Sequence, residues 1–398
     1  MARFLLILML LGQGCAPPPS PLSPAHDVMA SGALYIADPL ARRAALEASF
    51  VNPDNGYAQL RLARYTDTEW GALPLWNPLA RPIKVGESAP ESLVDGRALA
   101  YRDVPWTRDD LVALGERAFF TYPVQIAPAL GHTLADPAAF GVDVVDDVLT
   151  TTVWVETDGG VFPALTCASC HAARDMAGEW RAGKTNTRFD YGRILDAFYQ
   201  TGDERSHWGP ARVDVTGDAM DNPTVVTDLR PMAHQQYIHR AATLRNDPIA
   251  LAIRLETLLI TSSGQVIRPP REITFAMALY LWSLADALPP VPTESPGRVV
   301  FDRVCAGCHA GPGLAGPLVP LEIVGTDSAV GDSSMRGTGA YRTPSLRGVG
   351  DRTPLMAAGG VPDLEDLLDP QRKAVGHAYG FDLSADERRD LLAFLRAL

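Results

Sequence analysis

The sequence predicts a mainly α fold in which two tandem units follow an N-terminal extension. One order of features occurs twice along the 398 residues: a helix, a Cys-x-x-Cys-His motif, loops and a further helix. Helix-start signals precede both motifs and the C-terminal segment. The composition, 46% hydrophobic and 21% charged, is that of an ordinary globular chain long enough for several domains.

The first residues predict export. A basic start, the apolar run 4–11 and small residues before Cys15 are typical of a secretory signal over residues 1–15, and the run is too short to span a bilayer. Cys15 is the candidate for lipid attachment, and a plain signal peptide is the alternative because Gly12 stands where such signals usually have leucine. Residues 16–25 form a Pro-rich tether. We expect a periplasmic or outer-membrane-associated protein whose membrane contact is a lipid anchor at Cys15.

The first predicted unit covers residues 106–294. It follows an extension, residues 26–105, that contains no chemical motif and receives no role. A Val/Thr-rich run, 142–155, followed by Gly159-Gly160 predicts a hairpin inserted just before the first Cys-x-x-Cys-His motif. Helices are expected from Thr107 and over 189–198, 241–259 and 272–288.

The second predicted unit covers residues 295–398. Ser295 can cap a helix that has Pro296 in its first position and leads into the second motif. Ser384 and Glu387 form a capping box at the start of a final amphipathic helix. The two units are therefore expected to share a helix, motif and helix layout.

Both motifs predict covalent binding of haem c. Two thiols form thioethers with the haem vinyl groups, and the following histidine binds the iron. A redox dithiol or half a zinc site is the alternative, but the pattern occurs twice in a chain predicted to be exported, with no other cysteine in its folded body. The predicted haem-binding residues are Cys167, Cys170, His171, Cys305, Cys308 and His309.

The sixth iron ligand decides whether each haem only transfers electrons or also binds peroxide or oxygen. For the second haem we predict Met356, which lies in a Gly/Pro-flanked loop, with Met335 as the alternative. For the first haem no residue stands out by spacing, and an open iron is an equal alternative. The downstream candidates are His207, Met220, His234 and His239.

The charge of the chain limits its partners. A formal net charge of -12 and a pI of about 5.1 argue against nucleic acid, whose phosphates would repel the protein. The same charge suits a basic redox partner, or it serves solubility alone.

Residues 341–356, Tyr-Arg-Thr-Pro-Ser-Leu-Arg-Gly-Val-Gly-Asp-Arg-Thr-Pro-Leu-Met, resemble a segment of a known family. That family is the bacterial di-haem cytochrome c peroxidases with their methylamine-utilisation relatives, the MauG group, whose segment reads "TPSLRN…APYMH.G". Residues 114–120, Leu-Gly-Glu-Arg-Ala-Phe-Phe, are similar to the family's "LGRRLFFD". Residues 364–369 and 383–398 also fit, so the resemblance covers about residues 107–398.

The resemblance implies two cytochrome c-like haem domains with divided labour. The haem at His309, with Met356 as its distal ligand, would receive electrons from a small donor protein, a cytochrome c or a cupredoxin. The haem at His171 would meet hydrogen peroxide, with Glu256 as the acid/base group. Asn222 would contribute to a calcium site between the domains.

The chain also departs from the family pattern. Tyr237 stands where the family has tryptophan between the haems, and Thr187 stands where its peroxidases have a displaceable histidine. The second departure favours a first haem that is always open to ligand, as in the MauG branch. Two rival functions share the haem residues: an electron-transfer cytochrome without substrate chemistry, and an oxygenase or protein-modifying enzyme.

Overall fold

The fold is mixed α and β. The computed structural model describes residues 27–175, 178–215 and 220–398. The chain is 38% helical and 15% strand, so the prediction of a mainly α fold is wrong. Most strands outside one sheet are two to five residues long and pair in isolated antiparallel ribbons. Such short pairings leave no alternating pattern of apolar residues, and the sequence therefore did not show them.

Several helices begin where the sequence predicted. Thr107 caps α4, Ser295 caps α9, and Ser384 forms a capping box with Glu387 at α12. The helices are α1 (Val28–Ala37), α2 (Pro39–Ser49), α3 (Gly56–Arg64), α4 (Arg108–Thr121), α5 (Cys167–His171), α6 (Tyr191–Tyr199), α7 (Pro248–Ser262), α8 (Arg271–Ser283), α9 (Pro296–Val304), α10 (Leu321–Val324), α11 (Leu364–Leu367) and α12 (Ala385–Arg396).

The helix predicted to start at residue 241 starts at Pro248 instead. Asp247 caps α7 through the backbone N–H groups of Ile249 and Ala250. Residues 237–245 form a two-stranded ribbon in place of helix. Proline in the first helical position and aspartate at the cap are the ordinary signals for a start at this point.

The predicted hairpin is present and belongs to a five-stranded antiparallel sheet. Its strands, β4 and β5, pair from Thr152 with Leu165 to Thr157 with Gly160, and the sheet order is β1-β4-β5-β2 with β3 on β4. The strands are β1 (Ala80–Lys84), β2 (Gln125–Ile126), β3 (Val144–Val145), β4 (Val148–Thr157), β5 (Gly160–Leu165), β6 (Ala172–Arg174), β7 (Trp180–Ala182), β8 (Arg212–Val213), β9 (Thr224–Val225), β10 (Tyr237–Ile238), β11 (Leu244–Arg245), β12 (Gly316–Pro320) and β13 (Ala340–Thr343).

The largest hydrophobic core joins the N-terminal extension to α4, α7 and α8. Tyr35 and Leu46 of the extension and Phe119 and Phe275 of the helices are all buried in it. Helices α4 and α8 approach closely because Gly115 has no side chain: a Cβ there would lie 2.1 Å from the Ala276 carbonyl oxygen. The extension is thus part of the body that carries the first motif.

A separate core lies in the C-terminal part. Phe301 of α9 and Phe394 of α12 pack with ring centroids 5.2 Å apart. The buried side chains of this core come from residues 300–398. This packing holds α9, which leads into the second motif, against the final helix.

Within the described ranges, no helix combines the length and apolarity required to cross a membrane. Cys15 and the Pro-rich tether lie outside the described residues, so the predicted lipid anchor stays a prediction.

Candidate cofactor sites

The first motif is fixed to the predicted hairpin. Strand β5 ends at Leu165, and α5 begins two residues later at Cys167. The hydroxyls of Thr166 and Ser169 both donate to the Thr151 carbonyl of β4. The turn that holds Cys167 and its neighbours is therefore rigidly placed on the sheet.

His171 is oriented for binding through Nε2. Its Nδ1 lies 2.8 Å from the Thr227 carbonyl oxygen, which can only accept, so Nδ1 carries the proton and Nε2 keeps a lone pair. Burial lowers the pKa of His171 to about 4, which keeps the ring neutral. Burial also raises the pKa of the Cys167 and Cys170 thiols to about 12. Both cysteines are unbridged and retain some accessible surface.

The second motif repeats this arrangement. Cys305 ends α9, and His309 Nδ1 lies 3.2 Å from the Leu314 carbonyl oxygen, which again leaves Nε2 for binding. Burial lowers the pKa of His309 to about 4 and raises that of Cys305 to about 11. The two motifs therefore present the same chemical groups, and in each the histidine is neutral with Nε2 available.

A cavity of about 270 Å³ adjoins the second motif. Cys305, Cys308 and His309 line it together with Met356 and His377. Its lining is predominantly aliphatic, as is usual for pockets that hold large organic groups. The predicted ligand Met356 thus borders the expected space, whereas the alternative, Met335, packs against Gly56 of the extension.

His377 also lines this cavity, and the sequence did not indicate it. Its ring centroid lies 6.5 Å from that of His309. It lies outside both motifs and outside the family-like segment 341–356. The one sequence signal for it was its place in a Gly-containing loop before the last helix, a setting similar to that of Met356.

Three arginines also line this cavity. Burial lowers the pKa of Arg240 to about 10 and that of Arg342 to about 9. Arg352 lies 3.7 Å from Asp228, while the guanidinium groups of Arg240 and Arg342 donate to backbone carbonyls. Burial disfavours the charged form of these arginines, so a bound anion would stabilise them. The carboxylates of a large organic cofactor are anions of this kind.

A second polar cluster lies beside the first motif. We call it the basic wall; its members are Tyr57, Arg61, His239, Arg254 and Arg336. The Arg61 guanidinium stacks 3.4 Å from the centre of the Tyr57 ring, and that ring lies edge-on to His239 at 5.3 Å. Arg254 Nε donates to His239 Nε2 over 2.6 Å. Burial is the main cause of the low pKa of His171, and Arg254 adds to it, which places the wall near that ring.

Several polar atoms of the basic wall are buried without a hydrogen-bond partner among the described residues. They are Tyr57 Oη, His239 Nδ1, Arg254 Nη1 and Arg336 Nε. Burial lowers the pKa of Arg61 to about 10 and that of Arg336 to about 9. Burial alone would raise the pKa of the Tyr57 phenol, but the neighbouring guanidinium groups lower it. The wall is therefore suited to an anionic or strongly accepting group.

The N-terminal extension supplies part of this wall, which the sequence did not indicate. Tyr57 and Arg61 lie on α3, and the start of α3 is joined to the C-terminal part of the chain. The Gly56 and Tyr57 N–H groups donate to the Ser334 and Met335 carbonyls over 2.9 and 2.7 Å. No motif in residues 26–105 could have revealed this, because the contact is made across nearly 280 positions of sequence.

The four residues predicted as candidate iron ligands at the first site lie in different parts of the structure. His207 pairs with Asp221 over 2.6 Å at the surface, and Met220 is 55% exposed. His234 packs on Gly313 near the second motif. His239 belongs to the basic wall, where its Nε2 is engaged by arginine.

Glu256 is fully buried and binds three donors. Its carboxylate accepts from Tyr35 Oη at 2.8 Å, Tyr65 Oη at 2.6 Å and Arg271 Nε at 3.0 Å. These contacts tie the extension to α7 and α8. They suit a structural ion pair, and the catalytic role of Glu256 stays a prediction.

The calcium prediction also stays open. The Asn222 N–H donates to Asp214 Oδ2 over 3.4 Å. Among the described residues, no three or more His, Cys, Asp and Glu side chains group closely enough to hold a metal ion. Tyr237 lies half-buried on β10, and its carbonyl accepts from Arg342 Nη1 over 2.9 Å.

Comparisons with known proteins add little. No protein-family model matches the chain, and no match was found among curated proteins. Among solved structures, a chain of hydrazine synthase from Kuenenia stuttgartiensis is similar at 15% identity with a TM-score of 0.40, over 80% of this chain and 99% of that one. Similarity at this level supports no inference about function.

Proposed function

We propose that this chain is an exported di-haem c-type oxidoreductase of the peroxidase type, with haem c at each Cys-x-x-Cys-His motif. The observation that carries the proposal is the matched chemistry of the two motifs. Each presents two thiols beside a neutral histidine whose Nδ1 is held by a backbone carbonyl and whose Nε2 is available. Haem bound there would supply one-electron redox chemistry and, where an iron position stays open, a place for a small oxidant.

The two sites would divide the work. At the second site, His309 and two further potential iron ligands, Met356 and His377, line one largely apolar cavity. Arg240 and Arg342 also line it and could hold haem carboxylates. Residues arranged in this way exclude water and keep the iron closed to substrate, as an electron relay requires. The acidic surface of the chain suits a basic electron-donor protein.

At the first site, the basic wall would support reaction with hydrogen peroxide. His239 accepts from Arg254 at Nε2, so in its neutral form the proton lies on Nδ1, which faces no other described partner. The Nδ1–H can donate a hydrogen bond to an oxygen of bound peroxide, and the guanidinium groups can stabilise the negative charge that develops there. Glu256, whose oxygens already accept three hydrogen bonds, is the acid/base group that the family resemblance implies.

Haem content and spin state test the proposal. The protein would be produced with a haem-attachment system, exported, and analysed by pyridine haemochrome assay and by ferric spectra with and without hydrogen peroxide. We expect two covalent haems, and we expect each of the double variants Cys167→Ala/Cys170→Ala and Cys305→Ala/Cys308→Ala to keep one. The variant that retains the first motif should keep the high-spin, peroxide-reactive signal.

Each alternative gives a different result. Two low-spin haems inert to peroxide and to carbon monoxide would identify an electron-transfer cytochrome. Oxygen uptake with a co-expressed partner, in place of peroxide reduction, would favour the oxygenase or protein-modifying function. The absence of covalent haem from the exported protein would overturn the whole proposal.

A further inference from the structure

His377 faces His309 across the cavity of the second motif. Resting on the proposed haem at that motif, we infer that His377, and not the predicted Met356, is the second axial ligand of its iron. The haem at the second site would then be held by two imidazoles, one from each wall of the cavity.

The separation of the two rings fits a metal between them. Imidazole nitrogens bind metals at about 2.0 Å, and a ring nitrogen lies about 1.2 Å from its ring centre, so two imidazoles on opposite faces of one iron have centroids about 6.4 Å apart. The observed separation of the His309 and His377 centroids is 6.5 Å. Both rings line the same cavity, so neither has to move far to reach an iron within it.

His377 has a buried ring nitrogen without a partner. Among the described residues, none forms a hydrogen bond with its Nδ1. A buried imidazole without a partner is costly, and metal coordination is one way to satisfy it. Met356, by contrast, packs its side chain against the C-terminal hydrophobic core, which is an ordinary structural role for methionine.

The loop that presents His377 is held in place by Arg372. The Arg372 guanidinium donates to four backbone carbonyls, those of Leu367, Ala374, Gly376 and His377. The His377 N–H donates to the Val324 carbonyl over 2.7 Å. Ligands that must stay at a fixed distance from an iron are commonly supported by such contacts.

The backbone of the loop is constrained as well. Gly376 has φ +79°, and a Cβ there would lie 2.3 Å from the Gly325 carbonyl carbon. His377 itself has φ +47°, a left-handed conformation that side chains rarely adopt and that proteins retain mainly at functional positions. Met356 shares this feature with φ +67°, so the backbone does not separate the two candidates, and the case for His377 rests on its ring separation from His309.

Two imidazole ligands have a functional consequence. A thioether ligand raises the potential of haem iron, and a second imidazole in its place lowers it. The second haem would then be a low-potential relay, which needs a more reducing donor than a His/Met haem does.

Spectra of the intact di-haem protein and of two variants test the ligand. A His/Met ferric haem c shows a weak far-red sulfur-to-iron charge-transfer band. We expect the native protein to lack this band and to show a bis-imidazole low-spin electron paramagnetic resonance signal. His377→Met should introduce the band, and the matched variant Met356→Leu should leave the low-spin signal in place.

The opposite pattern overturns the inference. A far-red band in the native protein that disappears in Met356→Leu would assign the methionine, and a high-spin second haem would exclude both ligands. The native spectrum decides even if a variant fails to fold. A pyridine haemochrome assay on the same samples separates the two proposals, because haem absent from Cys305 and Cys308 refutes the proposed function, whereas haem present with a sulfur band refutes only the His377 ligand.

Discussion

The two sites share the Cys-x-x-Cys-His motif but differ in the residues that surround it. At His309, Met356 and His377 line the same largely apolar cavity. At His171 the nearby wall is polar and basic, built from Tyr57, Arg254 and their neighbours. The difference teaches that the motif specifies how a cofactor is attached, while the surroundings determine what it can do.

The walls also differ in where their residues come from. The cavity at the second site is lined mainly by residues after 304, with a contribution from 225–240. The basic wall draws on three distant segments: α3, residues 239–254 with part of α7, and Arg336. The first site therefore depends more on long-range packing, and its variants should show this.

The largest expected effect is on the hydrogen-bond donor of the first site. His239→Ala should slow the reaction of the first haem with peroxide by about 100- to 1,000-fold, because one positioned donor to a developing negative charge typically contributes that much. His207→Ala, a surface histidine paired with Asp221, is the matched control and should keep the rate. Stopped-flow absorbance measures the rate, and the spectrum of the second haem should not change. An unaltered rate in His239→Ala would remove the functional difference between the walls.

The next effect is on Glu256, whose carboxylate ties the extension to α7 and α8. Glu256→Ala should destabilise the fold by about 3–5 kcal/mol, because it leaves buried Arg271 without its carboxylate. Denaturant unfolding measures the loss, and the milder Glu256→Gln serves as the comparison. If Glu256→Gln unfolds like the wild type but no longer reacts with peroxide, Glu256 has the catalytic role implied by the family resemblance.

A smaller effect is expected in the loop of the second site. Gly376→Ala places a Cβ against the Gly325 backbone in a left-handed conformation and should cost about 2 kcal/mol. It should also displace His377 and convert the second haem partly to high spin. Gly360→Ala, whose Cβ would meet only the Ala374 side chain at 3.5 Å, is the control. A low-spin spectrum that survives Gly376→Ala would show that the loop does not position the ligand.

The smallest effect concerns pH and the sheet that carries the first motif. Hydrogen bonds from Arg81, and then from the Lys84 N–H and the Trp154 ring, lower the pKa of Glu87 from 4.5 to about 2. Because the folded pKa is the lower one, its stabilisation is complete above pH 4.5 and is lost as the pH falls towards 2. Solvent screening reduces it to about 1 kcal/mol. Unfolding at pH 6 and pH 3 should show a smaller loss for Glu87→Gln than for the wild type; equal losses would contradict this.

Local features of the fold could be predicted from the sequence. Thr107, Ser295 and Ser384 marked the starts of α4, α9 and α12 because a helix cap depends on residues three or four positions apart. The hairpin of β4 and β5 was visible for a similar reason, since its strands are long and its turn contains two glycines. The predicted fold class was wrong because most of the other strands are too short to leave an alternating pattern of apolar residues in the sequence.

The residues of the two sites also fall into those that the sequence could predict and those that only the structure revealed. By itself the sequence determined the two Cys-x-x-Cys-His anchors, since all their groups lie within five consecutive residues. Tertiary structure alone decided that α3 of the extension supplies Tyr57 and Arg61, that Glu256 is an internal ion-pair partner, and that His377 faces His309. The physical reason is distance along the chain. The residues of each motif are close neighbours in the sequence, whereas the residues around each motif come together only when remote segments pack.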